Sequence, residues 1–270
     1  MPLPWTRVLK YFPDALESGS DVAIAQALLG RALNESVVVD SVFGPASAVA
    51  VAAFRGDGNG TFDAPTANAL LACCSDDRYA GGTSPSNRTT LYTIVVPVVH
   101  NRSVELNATL FGPDGELLSF RARTHGLRDD ALERPWPDYS NDDGLNEFTA
   151  DGNTPTGLAT LDLNTPEPNA SLYGPYPVNR VVTGLEGNSF LVLGAGGRSG
   201  ILLHSGLWPP GHGTQMPNSD GCIHVVPEDA DRIWQALVSI GAQVRPNPYT
   251  SANYPYTPQG LISVIDIETR

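Results

Sequence analysis

Residues 200–225, GILLHSGLWPPGHGTQMPNSDGCIHV, hold the side chains best able to do covalent chemistry. Cys222 follows Gly221, precedes His224 by two positions and lies 18 residues after His204. A thiol with an ordinary pKa of about 8.5 is mostly protonated at neutral pH, and a histidine within hydrogen-bond reach activates it by taking the proton or forming an ion pair. Glycine before the cysteine lets the backbone turn sharply and brings N–H groups close to a bound carbonyl, which an oxyanion hole requires. The Pro- and Gly-rich loop between His204 and Cys222 reads as a lid, with Trp208 as its apolar surface and His212 as a solvated residue. Two blander readings compete: a small buried thiol on a strand, and a zinc site of His204, His212, Cys222 and His224. The zinc spacing matches no compact motif, and two of the four donors flank a flexible Gly-Pro loop.

The elements that must position these groups belong to two compositional regions. Of the 270 residues, 41% are hydrophobic and 17% charged, the balance of a folded protein. A net charge of −13 argues against nucleic acid or an anionic membrane surface as partner. No apolar run is long enough to span a bilayer. Residues 1–19 read as a weakly structured lead-in without the apolar stretch of a signal peptide. From residue 20 to 76 the period is helical. Val22, Ala25, Leu28 and Leu29 share one face before Gly30, and two loop-plus-helix units follow. Offset by nineteen residues, Phe43 matches Phe62, Ser47 matches Thr66, Ala50 matches Ala69 and Val51 matches Leu70. Adjacent Cys73 and Cys74 read as small core residues at a helix end, since a ring between neighbours is strained.

Residues 77–90 are rich in Gly, Ser, Asp and Pro and read as a linker. Beyond it, from 91 to 270, the period becomes that of strands. LYTIVVPVV, the SVELNATLF and ELLSFRART pair around GPDG, GLATLDL, FLVLG, GILLHSG and LISVIDI are strand-like. LRDDALERPWPDYSNDDGLNEF reads as an exposed polar insertion. The main helix is PEDADRIWQALVSIGA, with Pro227 in its first turn, Glu228 and Asp229 complementing the dipole, and Gly241 ending it.

Two resemblances sharpen this reading. V-x-x-x-Q-x-L-L (Val22–Leu29), the VD-x-x-FGP segment (Val39–Phe54) and F-D-x-x-T-x-x-x-L-L (Phe62–Leu71) together resemble a three-helix peptidoglycan-binding domain, with Arg55 where that family usually has glutamine. His204 followed after an intervening loop by Ser219-Asp220-Gly221-Cys222 resembles the L,D-transpeptidases with a YkuD-type catalytic domain. FRARTHG, DGNTPTG (Asp151–Gly157), YGPYPVNRV (Tyr173–Val181) and GRSGILLHSG (Gly197–Gly206) resemble further landmarks of that family, in order. The expected fold is therefore a mainly β catalytic domain, a YkuD-like β-sandwich with one main helix, plus a small all-α three-helix N-terminal domain.

The resemblance implies a cysteine acyltransferase acting on peptidoglycan stem peptides, with no metal and no organic cofactor. Cys222 would attack the carbonyl of the third residue, His204 would be the base, oriented by the Ser205 carbonyl, and the N–H groups of Gly221 and Cys222 would face the oxyanion. D-Alanine would leave, and an amine or water would resolve the thioester, so that hydrolysis is the alternative to transfer and an inert wall-binding protein the third reading. Ser219, Asp220, His224, Trp208, Tyr173 and Arg198 are the candidate substrate-binding residues. Asp220 and His224 depart from the family's usual residues. Asp220 opposes a thiolate, and a protonated His224 would offset it. Six N-x-[ST] sequons, at Asn34, Asn59, Asn87, Asn101, Asn107 and Asn169, favour an extracellular or wall-associated glycoprotein. Peptidoglycan is the expected partner and a monomer the expected state.

Overall fold

The computed structural model describes residues 1, 4–81, 90–126, 145–195, 198–206, 216–251 and 256–268. Most of the expected polar insertion, Trp208, His212 and Asn87 lie outside the described residues.

Eight strands make one sheet: β3 (Tyr92–Val98), β4 (Leu106–Gly112), β5 (Gly115–Ala122), β6 (Gly157–Asn164), β7 (Val178–Glu186), β8 (Leu202–His204), β9 (Ile223–His224) and β10 (Gly260–Asp266). Their spatial order is β5-β4-β3-β10-β6-β7-β8-β9. Only β10–β3 and β8–β9 are parallel pairs. The two edges meet, because Arg123, just past β5, exchanges both backbone hydrogen bonds with His224 of β9 at 3.0 and 2.9 Å. The expected sandwich is thus a single sheet curled until it nearly closes. Its inner face carries Ile94, Val96, Leu110, Phe120, Leu161, Leu203, Ile223 and Ile262, with Ala230, Ile233 and Leu237 of helix α6 (Pro227–Ser239) packed on them. Pro227 begins that helix with Glu228 and Asp229 in its first turn, as the sequence requires.

The N-terminal helices are α1 (Ser20–Leu33), α2 (Pro45–Arg55) and α3 (Ala64–Cys74), with a small ladder of β1 (Glu17–Ser18) and β2 (Val42–Phe43). The repeat is visible in burial: Phe43 with Phe62, Ser47 with Thr66 and Val51 with Leu70 are each buried in both units, whereas Ala50 is buried and Ala69 exposed. The polar residues behind the first resemblance hold this scaffold together. Gln26 Nε2 donates to Asp40, the Val42 carbonyl and Ser47, while its Oε1 accepts from the Asp40 and Ser41 amides. Asp63 caps α3 by accepting from the Thr66 amide and hydroxyl, and Arg55 bridges Asp57, Asp63 and Thr66.

Four features differ from the sequence reading. The lead-in is packed: Trp5 and Leu9 are fully buried, the Trp5 indole donates to the Asp21 carbonyl at 2.7 Å, and Leu9 pairs with Phe62. Cys73 and Cys74 are joined to each other as a disulfide at the end of α3. FLVLG is no strand; helix α5 (Gly187–Phe190) runs into a wide helical turn over Leu191–Ala195. Val192 and Leu191 go to the core of the N-terminal helices, as does Phe148, so that core is shared between the two regions. Polar contacts follow the same seam. Asn188 donates to the Ser75 carbonyl and Glu147 and accepts from Arg31, Asp77 accepts from the Asn188 amide and Thr156, and Glu147 also pairs with Arg102. Burial raises the Glu147 carboxyl above its usual range, against the opposing pull of the Arg102 guanidinium.

Candidate active site

The site sits on the outer face of the closing strands. In β7–β8, Asn179 stands opposite Leu203 and Arg180 opposite Leu202; in β8–β9, Leu203 stands opposite Ile223 and His204 opposite His224. Side chains alternate along a strand. Leu203 and Ile223 therefore go to the core, while Val178 and Arg180, Leu202 and His204, and Cys222 and His224 share the other face. The contacts agree: Val178, Leu202 and Cys222 form a small separate apolar cluster covered by Tyr173, and the His204 and His224 rings meet edge-on with centroids 4.6 Å apart. The short helix α4 (Ala170–Tyr173) brings the Tyr173 ring to 5.2 Å from His204. Its N-cap is Asn169, whose side chain accepts from the Ser171 amide.

The loop carrying Cys222 is pinned from several sides. Arg198 is buried and spends its guanidinium on backbone carbonyls: Glu147 at 2.7 Å, Gly152 and Asn153 at 3.0 Å and Asp220 at 3.3 Å. The Thr154 hydroxyl reaches the carbonyls of Gly221 at 3.0 Å and Cys222 at 3.3 Å, and the Ser219 hydroxyl donates to the Cys222 carbonyl at 2.7 Å. The Ser219 amide donates to the His125 carbonyl, and Arg123 holds Asn218 through its side chain. A trans peptide is planar, with N–H opposite C=O. Fixing the Asp220 and Gly221 carbonyls therefore fixes where the Gly221 and Cys222 N–H groups point. Gly221 itself has φ +95°, a left-handed conformation that suits glycine.

Of the expected site residues, all but Trp208 lie among the described residues. Cys222, His204 and Tyr173 are brought together on one face. Arg198 is buried on backbone carbonyls and Ser219 gives its hydroxyl to the Cys222 carbonyl, so both brace the Cys222 loop from within. The Tyr173 backbone hydrogen-bonds to the His204 ring. Ser205 is buried, its hydroxyl beside Gly174. His224 donates through Nδ1 to the Pro217 carbonyl at 2.9 Å. Sequence reasoning passed over Thr154, Arg123 and His125, although each lies in a motif quoted above; it took those motifs as landmarks without asking which atoms they supply.

The thiol and the imidazole are both neutral at rest. Burial pushes the Cys222 thiol up to about 11, with Asp220 adding to the rise and the Leu202 amide, Arg198 and Arg180 opposing it. Burial takes His204 well below the imidazole range, helped by His224. His224 is itself lowered to about 4, chiefly by burial, so it carries no charge with which to offset Asp220. Burial also lowers Arg198 to about 10, which leaves it charged. Among the described residues the partners of Cys222 Sγ are the Leu202 amide at 3.4 Å and the Gly200 carbonyl at 3.6 Å, not the His204 ring. His204 Nδ1 is buried and has no partner there. The Cys222 thiol and the His204 ring therefore form no standing ion pair. A thiol raised this far gains thiolate as pH rises. Alkylation of Cys222 by iodoacetamide, followed by intact mass, is expected to accelerate about tenfold per pH unit from 7 to 10, with no plateau near 8.5.

No group of three or more His, Cys, Asp or Glu side chains is placed to hold a metal among the described residues, and no helix among them is long and apolar enough to cross a membrane. No curated protein matches the sequence. Three solved structures overlap with it loosely. Mycobacterium tuberculosis L,D-transpeptidase 1 is 14% identical, with 65% of this chain and 62% of that chain covered and a TM-score of 0.29. The L,D-transpeptidase (Yku) from Stackebrandtia nassauensis is 10% identical, with 96% and 97% covered and a TM-score of 0.32. The L,D-transpeptidase from Mycobacterium smegmatis is 14% identical, with 65% and 58% covered and a TM-score of 0.29. The overlap thus spans 62% and 58% of the lengths of the two mycobacterial enzymes. The family model is more direct: residues 122–245, which hold Arg123, Thr154, Tyr173, His204 and Cys222, match the YkuD-type L,D-transpeptidase catalytic domain.

Proposed function

We propose that the protein is a cysteine acyltransferase that acts on peptidoglycan stem peptides through a thioester on Cys222. The observation that carries this reading is the placing of Cys222 and His204 on one sheet face, with a buried His204 nitrogen still lacking a partner. The Cys222 sulfur attacks the carbonyl of the third stem residue while its proton passes to His204 Nδ1. The Gly221 and Cys222 N–H groups, oriented by Arg198 and Thr154, receive the oxyanion. Collapse breaks the C–N bond, the imidazolium returns its proton to the leaving amine of D-alanine, and the thioester remains. An amine from another stem then forms an amide and frees the thiol. Water in its place gives a trimmed peptide.

The N-terminal helices are proposed to bind the wall, and the protein to work outside the cell. The sequon asparagines at 34, 59, 101, 107 and 169 are all exposed, which leaves them open to glycosylation. The test is incubation with a disaccharide-tetrapeptide, followed by intact mass and assay of free D-alanine. The expected result is an adduct of the acyl mass mapping to Cys222 with release of D-alanine. Added amine acceptor then separates transfer from hydrolysis. Wall binding without adduct or release would make the catalytic domain inert.

A further inference from the structure

The arginine on the nucleophile face is Arg180, and nothing so far gives it a task. It stands opposite Leu202, in the same row of outward side chains as Cys222, and is 4% exposed. Its Nη2 pairs with Glu167, and its Nε is buried without a partner among the described residues. The guanidinium also lies 6.0 Å from the centre of the Tyr249 ring. Glu167 sits just ahead of α4, the element that lays Tyr173 beside His204. One short segment thus supplies both the acid on Arg180 and the ring over the base.

From these placements we infer that Arg180 is the receptor for the free C-terminal carboxylate of the leaving residue, and that Glu167 occupies it in the empty site. The inference rests on the acyl-transfer reading above. Strands lie about 4.8 Å apart, so the side chains of Arg180 and Cys222 rise about 10 Å from each other across Leu202. The Arg180 charge acts on the Cys222 thiol, and the reach of an arginine side chain across Leu202 would narrow that gap to one residue, since consecutive backbone centres are about 3.8 Å apart. A scissile carbonyl at Cys222 Sγ then puts a terminal carboxylate one residue on at the guanidinium, and a longer peptide puts an uncharged amide there. The fork of N–H donors suits a carboxylate, and the unpartnered Nε is one tine of it. Recognition of this kind makes the enzyme trim or transfer from tetrapeptide ends and pass over chains one residue longer.

The experiment separates this from the acyl-transfer reading by measuring binding as well as turnover. On Cys222→Ala protein, calorimetry compares the tetrapeptide acid with its C-terminal carboxamide. On the protein with Cys222 intact, kcat/KM is measured for both. The expected result is a preference of about 30-fold for the acid, falling to about 1 in Arg180→Gln. Glu167→Gln, which removes the resident carboxylate, is expected to lower Kd for the acid several-fold and leave the amide unchanged. An ion pair that merely holds the fold would weaken both ligands together and leave their ratio intact; that result overturns the proposal. Equal binding of acid and amide before any substitution overturns it too. Acid preference through Arg180 with no D-alanine release would uphold the carboxylate site and sink the transferase reading.

Discussion

Replacing Cys222 with alanine is expected to reduce D-alanine release by at least about 10³-fold, with the melting temperature close to that of the parent. In the proposed mechanism the sulfur forms the covalent bond, and its polar neighbours are already engaged. His224 donates to the Pro217 carbonyl and stays neutral, and the Ser219 hydroxyl is committed to the Cys222 carbonyl. The fold should tolerate the loss, because Cys222 contributes a small side chain to a minor cluster with Val178 and Leu202. D-Alanine release by coupled assay, with a thermal melt of the same sample, checks both halves. Residual turnover within tenfold of the parent would mean that another group performs the attack. Binding to isolated wall material, proposed for the N-terminal helices, should be unchanged, since those helices are untouched.

Gly221→Ala is expected to be worse for the molecule than Cys222→Ala. The φ of +95° is unfavourable to any residue with a Cβ, and the added carbon would lie 1.7 Å from Arg198 Nη2 and 2.8 Å from the Gly152 carbonyl. Arg198 cannot swing away cheaply, because the same guanidinium holds Glu147, Gly152, Asn153 and Asp220. The expected cost is about 2–4 kcal/mol of stability, with turnover lost beyond about 100-fold because the two amide donors move with the loop. Urea unfolding alongside turnover checks it. A variant with wild-type midpoint and activity would show that the nucleophile loop shifts freely and that its bracing is incidental.

The legible parts of the molecule are those in which local pattern and burial agree. LYTIVVPVV and LISVIDI became the parallel neighbours β3 and β10, His204 ends a strand as its position before a Pro/Gly loop required, and α6 begins at Pro227. FLVLG was misread because its apolar run serves a core made by a distant region; periodicity cannot say which core an element joins, and Val192 joins that of the N-terminal helices. Trp5 and Leu9 were hidden for the same reason. Curling of the sheet depends on Arg123 meeting His224, about a hundred positions apart in sequence, and no local signal encodes that meeting. At the site, residue types were readable and their engagements were not. Arg198 and Arg180 look alike in the sequence, yet the terminal nitrogens of one hold four backbone carbonyls while the other shares the face of Cys222 with a donor in reserve.

The meeting of Arg123 with His224 has a dynamic consequence. A two-residue strand at the open edge of a sheet would fray, taking its neighbours with it. Here the strand after Cys222 is paired with β8 on one side and with Arg123 on the other. Opening the nucleophile's strand therefore means unpairing the seam of the whole sheet. The placing of the Cys222 backbone and global cooperativity are thereby tied together, and that backbone holds its position for as long as the seam stays paired.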